Sequence, residues 1–363
     1  MRTGQRWGVV ALGVVALSAL PWVFGHRPVP SVSMSATTVL LRIQHSSARP
    51  YSGYAEADGG LGLPVSGEFG SVTDLLGAHT ALRVWFRGAT DSRVDAITAF
   101  GESDVHTDAA GTWTWNYERS RATRMQATYP EVRLPDTADV LPPELGRRLL
   151  SQARPSEVRR LPVARIAGVD AVGLRLHPAE DVTSVDHVDV WADPVSGLPL
   201  RVAVYGRGTT TPAMTTSFLD FSRSRPSAAV VSFVAPDRSR VSQSRGLDVA
   251  SATDEFFAVI PPATLAGLPR VRRSIGSVGV YGRGVTQLVA SPLWDGLANE
   301  LSTQLRSAGA TEKGDEQTFT VGPVSALLLN SGTGRSWLFT GTVTPATLQA
   351  AADEITTSPP EGR

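Results

Sequence analysis

The sequence predicts a β-rich α+β protein: a curved antiparallel sheet fills most of the chain and a small α+β unit follows it. Two observations carry this. From Tyr51 to Pro236, short segments rich in Val, Thr, Trp and Tyr are separated by polar turns, the pattern of antiparallel strands with one buried face. After a polar Ser/Arg stretch, Asp237–Arg245, helical and strand patterns alternate, and Leu293, Leu297, Leu301 and Leu305 recur at every fourth position. The turns are supplied by 34 Gly and 25 Pro among 363 residues.

The chain begins with Arg2 and Arg6 before an uncharged apolar run, Trp7–Gly25. About 20 apolar residues span a bilayer as a helix, and a basic flank keeps the N-terminus inside. The run is therefore a cleaved signal peptide or an uncleaved single-pass anchor in the cytoplasmic membrane, with the bulk of the chain outside. Ala16-Leu17-Ser18 offers a cleavage signal, but cutting there would expose Leu20, Trp22 and Phe24, which favours the anchor over secretion. The expected organisation is an anchor or signal segment at 1–25, a linker at 26–33, a first domain at 34–240 and a second at 246–358.

Ser35–Gln44 reads as a short helix with Val39, Leu40 and Ile43 on one side. Residues 51–65, broken by Gly59-Gly60 and Gly62, read as one long bent strand or a strand followed by a loop; strands follow at 81–87 and 92–100, and then a hairpin joins 104–108 to 112–117. Arg121–Thr128 extends the meander. Pro142-Pro143-Glu144 opens a helix to Gln152, since proline is tolerated in a first helical turn. Strands resume at 159–166 and 171–176. The hairpin Val185–Trp191 and Leu198–Tyr205 turns on Asp193-Pro194-Val195-Ser196-Gly197. Thr215–Ser222 and Ala229–Phe233 close the first domain. In the second, a helix at 252–257 precedes strands at 270–275, 278–281 and 285–290. A helix opens at Pro292, a hairpin joins Phe319–Leu329 to Ser336–Thr340, and Thr344-Pro345 starts a helix to Ile355.

The composition excludes several function classes. There are 34 basic and 34 acidic residues and the pI is about 7.0, so no global field points to nucleic acid. Cysteine is absent, which removes disulfides, thiolate metal sites and a thiol nucleophile. The six histidines lack metal-ligand spacing, so no cofactor is expected. No Gly-x-Ser-x-Gly elbow is present. His187 and Asp189 share a strand face and read as a solvated outer surface. Val-Tyr-Gly-Arg-Gly occurs at 204–208 and again at 280–284, and reads as a strand running into a turn rather than as a phosphate cradle.

What stands out is apolar. Leu82, Val84 and Phe86, then Trp113, Trp115 and Tyr117, then Val188, Val190, Leu200, Val202 and Val204 would line one side of the curved sheet. Either the two helices at 35–44 and 142–152 cover this face as an ordinary core, or they are too small and a groove for acyl chains remains. A chain of a dozen carbons could bind usefully at ~0.8 kcal/mol per buried methylene without any polar motif.

The helix before Tyr51-Ser52-Gly53, the arm Ala110-Gly-Thr-Trp-Thr-Trp-Asn-Tyr117, the hairpin Val188-Asp-Val-Trp-Ala-Asp-Pro-Val-Ser-Gly-Leu-Pro-Leu-Arg201 and the closing Phe233-Val-Ala-Pro236 resemble the LolA/LolB lipoprotein-carrier superfamily and the related RseB/MucB regulators. The resemblance covers about 34–240, and the unit at 246–358 is similar in placement to the second RseB domain. It implies an unclosed half-barrel with a helical lid, LolA-like, whose concave apolar face holds lipid or lipoprotein acyl chains without catalysis. In the RseB branch it implies, as the alternative, binding to an anti-sigma factor ectodomain or another membrane protein. A retained anchor departs from a soluble shuttle and favours a tethered role.

Overall fold

The computed structural model describes residues 33–61, 77, 79–98, 101–126, 136–244, 257, 259–271, 276–330, 336–358 and 360. The run Trp7–Gly25, nearly all of the linker 26–33 and the helix expected at 252–257, apart from Phe257, lie outside the described residues. Among the described residues, no helix is long and apolar enough to cross a membrane.

The first domain is a 12-stranded unclosed sheet, built from two antiparallel meanders that meet in its middle. One runs β1 (Tyr51–Gly59), β2 (His79–Gly88), β3 (Asp91–Thr98), β4 (Gly101–Asp108), β5 (Gly111–Asn116), β6 (Arg121–Gln126). The other runs β7 (Val158–Ile166), β8 (Val169–Leu176), β9 (Val185–Ala192), β10 (Pro199–Gly206), β11 (Met214–Ser222). They join because β1 pairs antiparallel with β11. Two helices of 9 residues each lie on one face: α1 (Ala36–Gln44) and α2 (Pro142–Leu150). Ser35 caps α1, its Oγ accepting the Thr38 N–H at 3.1 Å. α2 presses its backbone on β10: a Cβ at Gly146 would lie 2.7 Å from Pro199 Cγ, so only glycine allows this approach.

After β11 the chain departs from expectation twice. Ala229–Phe233, expected as a strand, begins as a one-turn helix, α3 (Ala228–Val231), that crosses β2 and β3 on the face opposite the lid. The polar stretch expected as a domain boundary contains β12 (Arg240–Ser244), which pairs parallel with the edge strand β6. Pairing at an edge needs only backbone groups, so a mostly exposed, Ser-rich segment serves.

The second domain has a 6-stranded antiparallel sheet, ordered β15 (Gly279–Arg283), β16 (Thr286–Leu293), β20 (Ser336–Gly341), β19 (Val324–Leu329), β18 (Glu316–Val321), β17 (Thr311–Lys313). A two-residue-per-strand hairpin, β13 (Thr264–Leu265) with β14 (Leu268–Pro269), flanks it. Helices α4 (Asp295–Ser307) and α5 (Pro345–Thr357) cover the sheet. Pro292 does not open α4; it lies in β16 opposite Trp337, and the helix starts three residues later. Leu301 and Leu305 still pack with Leu293 and Leu328 in one core. Phe319–Leu329 is two strands, not one arm, because Val321 and Val324 pair across a Gly322-Pro323 turn.

The two domains are joined by backbone. Thr183 and Val343 form an antiparallel bridge, flanked by Ser184 N–H to Thr342 O at 3.1 Å and Thr344 N–H to Val182 O at 2.9 Å.

Candidate ligand-binding face

The register decides which expected residues meet. On the lid side, Leu82 opposes Ala55 and Ala96, and Val84 opposes Gly53 and Val94. Ala55 opposes Phe218, Thr216 opposes Val202, and Val202 and Val204 oppose Val190 and Val188. Leu82, Val84, Phe86, Val188, Val190, Val202 and Val204 therefore share one face. Leu200 sits where the β9–β10 register shifts and packs in the same cluster as Leu82, Val84 and Phe218.

Trp113, Trp115 and Tyr117 are not on this face, contrary to the sequence expectation. Trp115 opposes Asp104, Asp104 opposes Asp95, and Asp95 opposes Arg83. The cause is one β-bulge. The β2–β3 hairpin begins with Gly88 opposite Asp91, but the register slips before Phe86, which faces Ser92. Without that slip Val84 would oppose Asp95 and join the tryptophans; a one-residue shift turns every later side chain over. The lid side of β4 and β5 carries instead Ser103, Val105, Thr107, Thr112 and Thr114.

The lid covers the apolar part closely. Val188, Val190 and Val202 pack under Val39, Leu40 and Ile43 of α1 and Leu150 of α2. Leu82, Val84 and Leu200 pack with Val140, Leu141 and Leu145. Each of the six strand residues is at most 1% exposed. Among the described residues, no hydrogen bond or ion pair joins α2 to the strands beneath it. Its polar contacts stay within the lid, as in Arg148 to Asp139 at 3.2 Å and Gln44 Nε2 to the Leu150 carbonyl at 2.8 Å. Among the described residues the seam is held by apolar burial, which has no directional requirement.

Three buried hydroxyls on this face, those of Tyr51, Thr80 and Thr216, have no partner among the described residues. Thr80 and Thr216 flank Ala57 in one row. Burial beside the Glu144 carboxylate pushes the Tyr51 phenol well above its ordinary range.

The opposite face is polar and ion-paired. Arg93 donates to both oxygens of Asp95, at 2.6 and 2.8 Å, and to Asp104 at 2.9 Å, and the Tyr117 hydroxyl donates to Asp104 at 3.0 Å. Burial, with the Asp104 charge adding to it and Arg93 opposing, pushes the Asp95 carboxyl up to about 6. Asp95, Glu102 and Asp104 lie within 4.8 Å of one another, and the Arg93 guanidinium pairs with two of them, Asp95 and Asp104. Phe233 packs on His106, Trp113 and Trp115 at ring separations of 4.9, 5.5 and 6.4 Å, so the chain leaving β11 straps this face. His187 and Asp189, expected to be solvated, are largely covered: Asp189 is buried against Arg175 at 2.6 Å and His187 stacks on Tyr205 at 4.2 Å.

A small cleft, with room for about one water molecule, lies at the junction of the domains between Leu149, Glu157, Leu176, Glu180 and Arg283.

Neither a protein-family model nor a curated protein matches the chain. Solved structures do. A chain of the Pseudomonas aeruginosa MucA/MucB complex superposes with a TM-score of 0.50 at 15% identity, covering 87% of this chain and 96% of that one. A structure of MucB in complex with MucA(peri) matches at 0.47 and 16% identity, over 87% and 97%. A LolA superfamily protein, NE2245 from Nitrosomonas europaea, matches at 0.23 and 13% identity, over 55% of this chain and 99% of its own. The two-domain fold is like that of MucB: an unclosed half-barrel and a small α+β domain.

Proposed function

We propose that this chain is a non-catalytic binding protein outside the cytoplasmic membrane, which shelters an acyl chain between the half-barrel and its lid. The observation that carries this reading is the seam beneath α2. It is mainly apolar, and among the described residues no hydrogen bond or ion pair ties α2 to the strands, so the helix can lift and a hydrocarbon can take its place. Exposing a buried Leu costs roughly 1.5–3 kcal/mol, and a hydrocarbon that covers the same strands recovers energy of that kind. The unpartnered hydroxyls of Thr80 and Thr216 favour a chain that carries oxygen, such as an ester or carboxyl, since each would gain the acceptor it lacks. The acyl-binding residues are then Leu82, Val84, Phe86, Val188, Val190, Leu200, Val202 and Val204, without the tryptophans. A retained Trp7–Gly25 segment would tether the protein beside its lipid source.

Titration with dansyl-labelled undecanoic acid tests this. Saturable binding with a blue-shifted, enhanced emission is the expected result, and its absence would refute the proposal.

A second reading has its own support. The likeness to MucB extends over both domains, and MucB is found with MucA. On that reading the chain binds an anti-sigma factor ectodomain, or a similar segment of a membrane protein, and the acyl chain modulates the contact. Cross-linking in intact cells that captures no membrane protein would count against it.

A further inference from the structure

We propose that the turn Arg283–Gly284 of the second domain is a lock on the lid, so that acyl binding under α2 and docking of this turn exclude one another. The inference rests on the acyl reading above and names how that site is controlled. Arg283 and Gly284 close the second copy of the repeated Val-Tyr-Gly-Arg-Gly segment, 280–284.

The geometry is specific to the hinge of the lid. α2 ends at Leu150, and residues 151–157 connect it to β7. This connection is the segment on which the C-terminal end of α2 would swing. The second domain grips it at several atoms. Arg283 Nη1 donates to the Gln152 carbonyl at 2.9 Å, and the Gly284 N–H donates to Gln152 Oε1 at 2.9 Å. Arg283 also pairs with Glu157, whose side chain is 4% exposed, and with Glu180 at 2.7 Å. Glu157 in turn accepts the Arg154 N–H at 2.7 Å, so the charge cluster fixes the path of the connection itself. Next along the chain, Val285 is buried in the cluster that holds Leu150, Leu174 and Leu176. Among the described residues the helix has no polar tie to the sheet below it, yet its hinge carries a half-buried ion-pair cluster reaching in from another domain. The restraint on the lid is therefore at Arg283.

Because α2 must move for the seam to open, a ligand beneath it favours the state in which these contacts are broken. Linkage makes the effect reciprocal: releasing the turn must strengthen ligand binding by the factor with which ligand weakens the turn's docking. The backbone junction of Thr183 with Val343 lies outside the cluster and can hold the domains together while the turn releases.

The test uses a cross-link. A Cβ built on Gly284 lies 3.9 Å from Gln152 Cβ, within the span of a disulfide, and the chain has no cysteine to compete. The full chain carrying Gln152→Cys with Gly284→Cys is titrated with dansyl-labelled undecanoic acid, oxidised and after reduction. The reduced form should bind at least tenfold more tightly than the oxidised form, and Arg283→Ala about tenfold more tightly than the unsubstituted chain. Equal binding by the oxidised and reduced forms, with the unsubstituted chain still binding, would overturn the lock and leave the acyl reading standing. No binding by any form, Arg283→Ala included, would overturn both.

Discussion

Two buried aspartates give the protein opposite responses to acid. Asp193, 0% exposed in the β9–β10 turn, is held at about 2 despite its burial: Arg223 and Ser196 Oγ bond the carboxylate, as do the N–H groups of Ser196 and Val195. Its folded pKa lies below the ordinary 3.8, so its contribution is full above pH 4 and is lost as pH falls towards 2, by roughly 2 kcal/mol. Asp193→Ala should cost about 3 kcal/mol in urea unfolding at pH 7, because Arg223 and two amides lose their acceptor. Asp95 has the reverse sign. Its folded pKa, about 6, lies above 3.8, so its stabilising proton is fully present below pH 4 and is lost as pH rises through 6. Urea midpoints should fall between pH 4 and 7, and Asp95→Asn should flatten that fall; an unchanged slope would show that the pair does not titrate there. On the lid face, Thr80→Val with Thr216→Val should raise the unfolding free energy measured in urea, by about 1 kcal/mol per orphaned hydroxyl removed. The same pair should weaken binding of the dansyl-labelled acid.

At the scale of elements, the lid is set by one close contact and the face by one bulge. Gly146→Ala gains about 1 kcal/mol of helix propensity, but its Cβ would overlap Pro199, and overpacking of this kind costs roughly 1–3 kcal/mol. The variant should melt lower and bind the dansyl-labelled acid more tightly, since α2 is already wedged from β10; a higher melting temperature with unchanged binding would contradict the contact. Most strands were legible in the sequence from their alternation, as were both lid helices, from the stripe Val39, Leu40, Ile43 and from Pro142 at a first turn. The face that the Trp113–Tyr117 arm presents was not. The slip beside Phe86 leaves no mark in composition, and it moved Trp113, Trp115 and Tyr117 to the ion-paired side. One signal was present: Asp104 and His106 share the tryptophans' side of the β4–β5 hairpin, which makes that side unsuited to a greasy interior. β12 was missed because an edge strand with both faces mostly exposed has no apolar period to read.

The whole molecule is in a closed state, its lid seated on the half-barrel. On the proposed reading the half-barrel supplies an apolar face, the lid covers it through contacts that can be exchanged for hydrocarbon, and the second domain holds the hinge. Hydrogen–deuterium exchange on the full chain, with and without saturating dansyl-labelled undecanoic acid, tests this most directly. The account predicts faster exchange in α2 and the 151–157 connection when ligand is bound, and slower exchange in β1, β2 and β10. Bound ligand with α2 unchanged, and protection confined to the ion-paired face around Arg93 and Trp115, would contradict it.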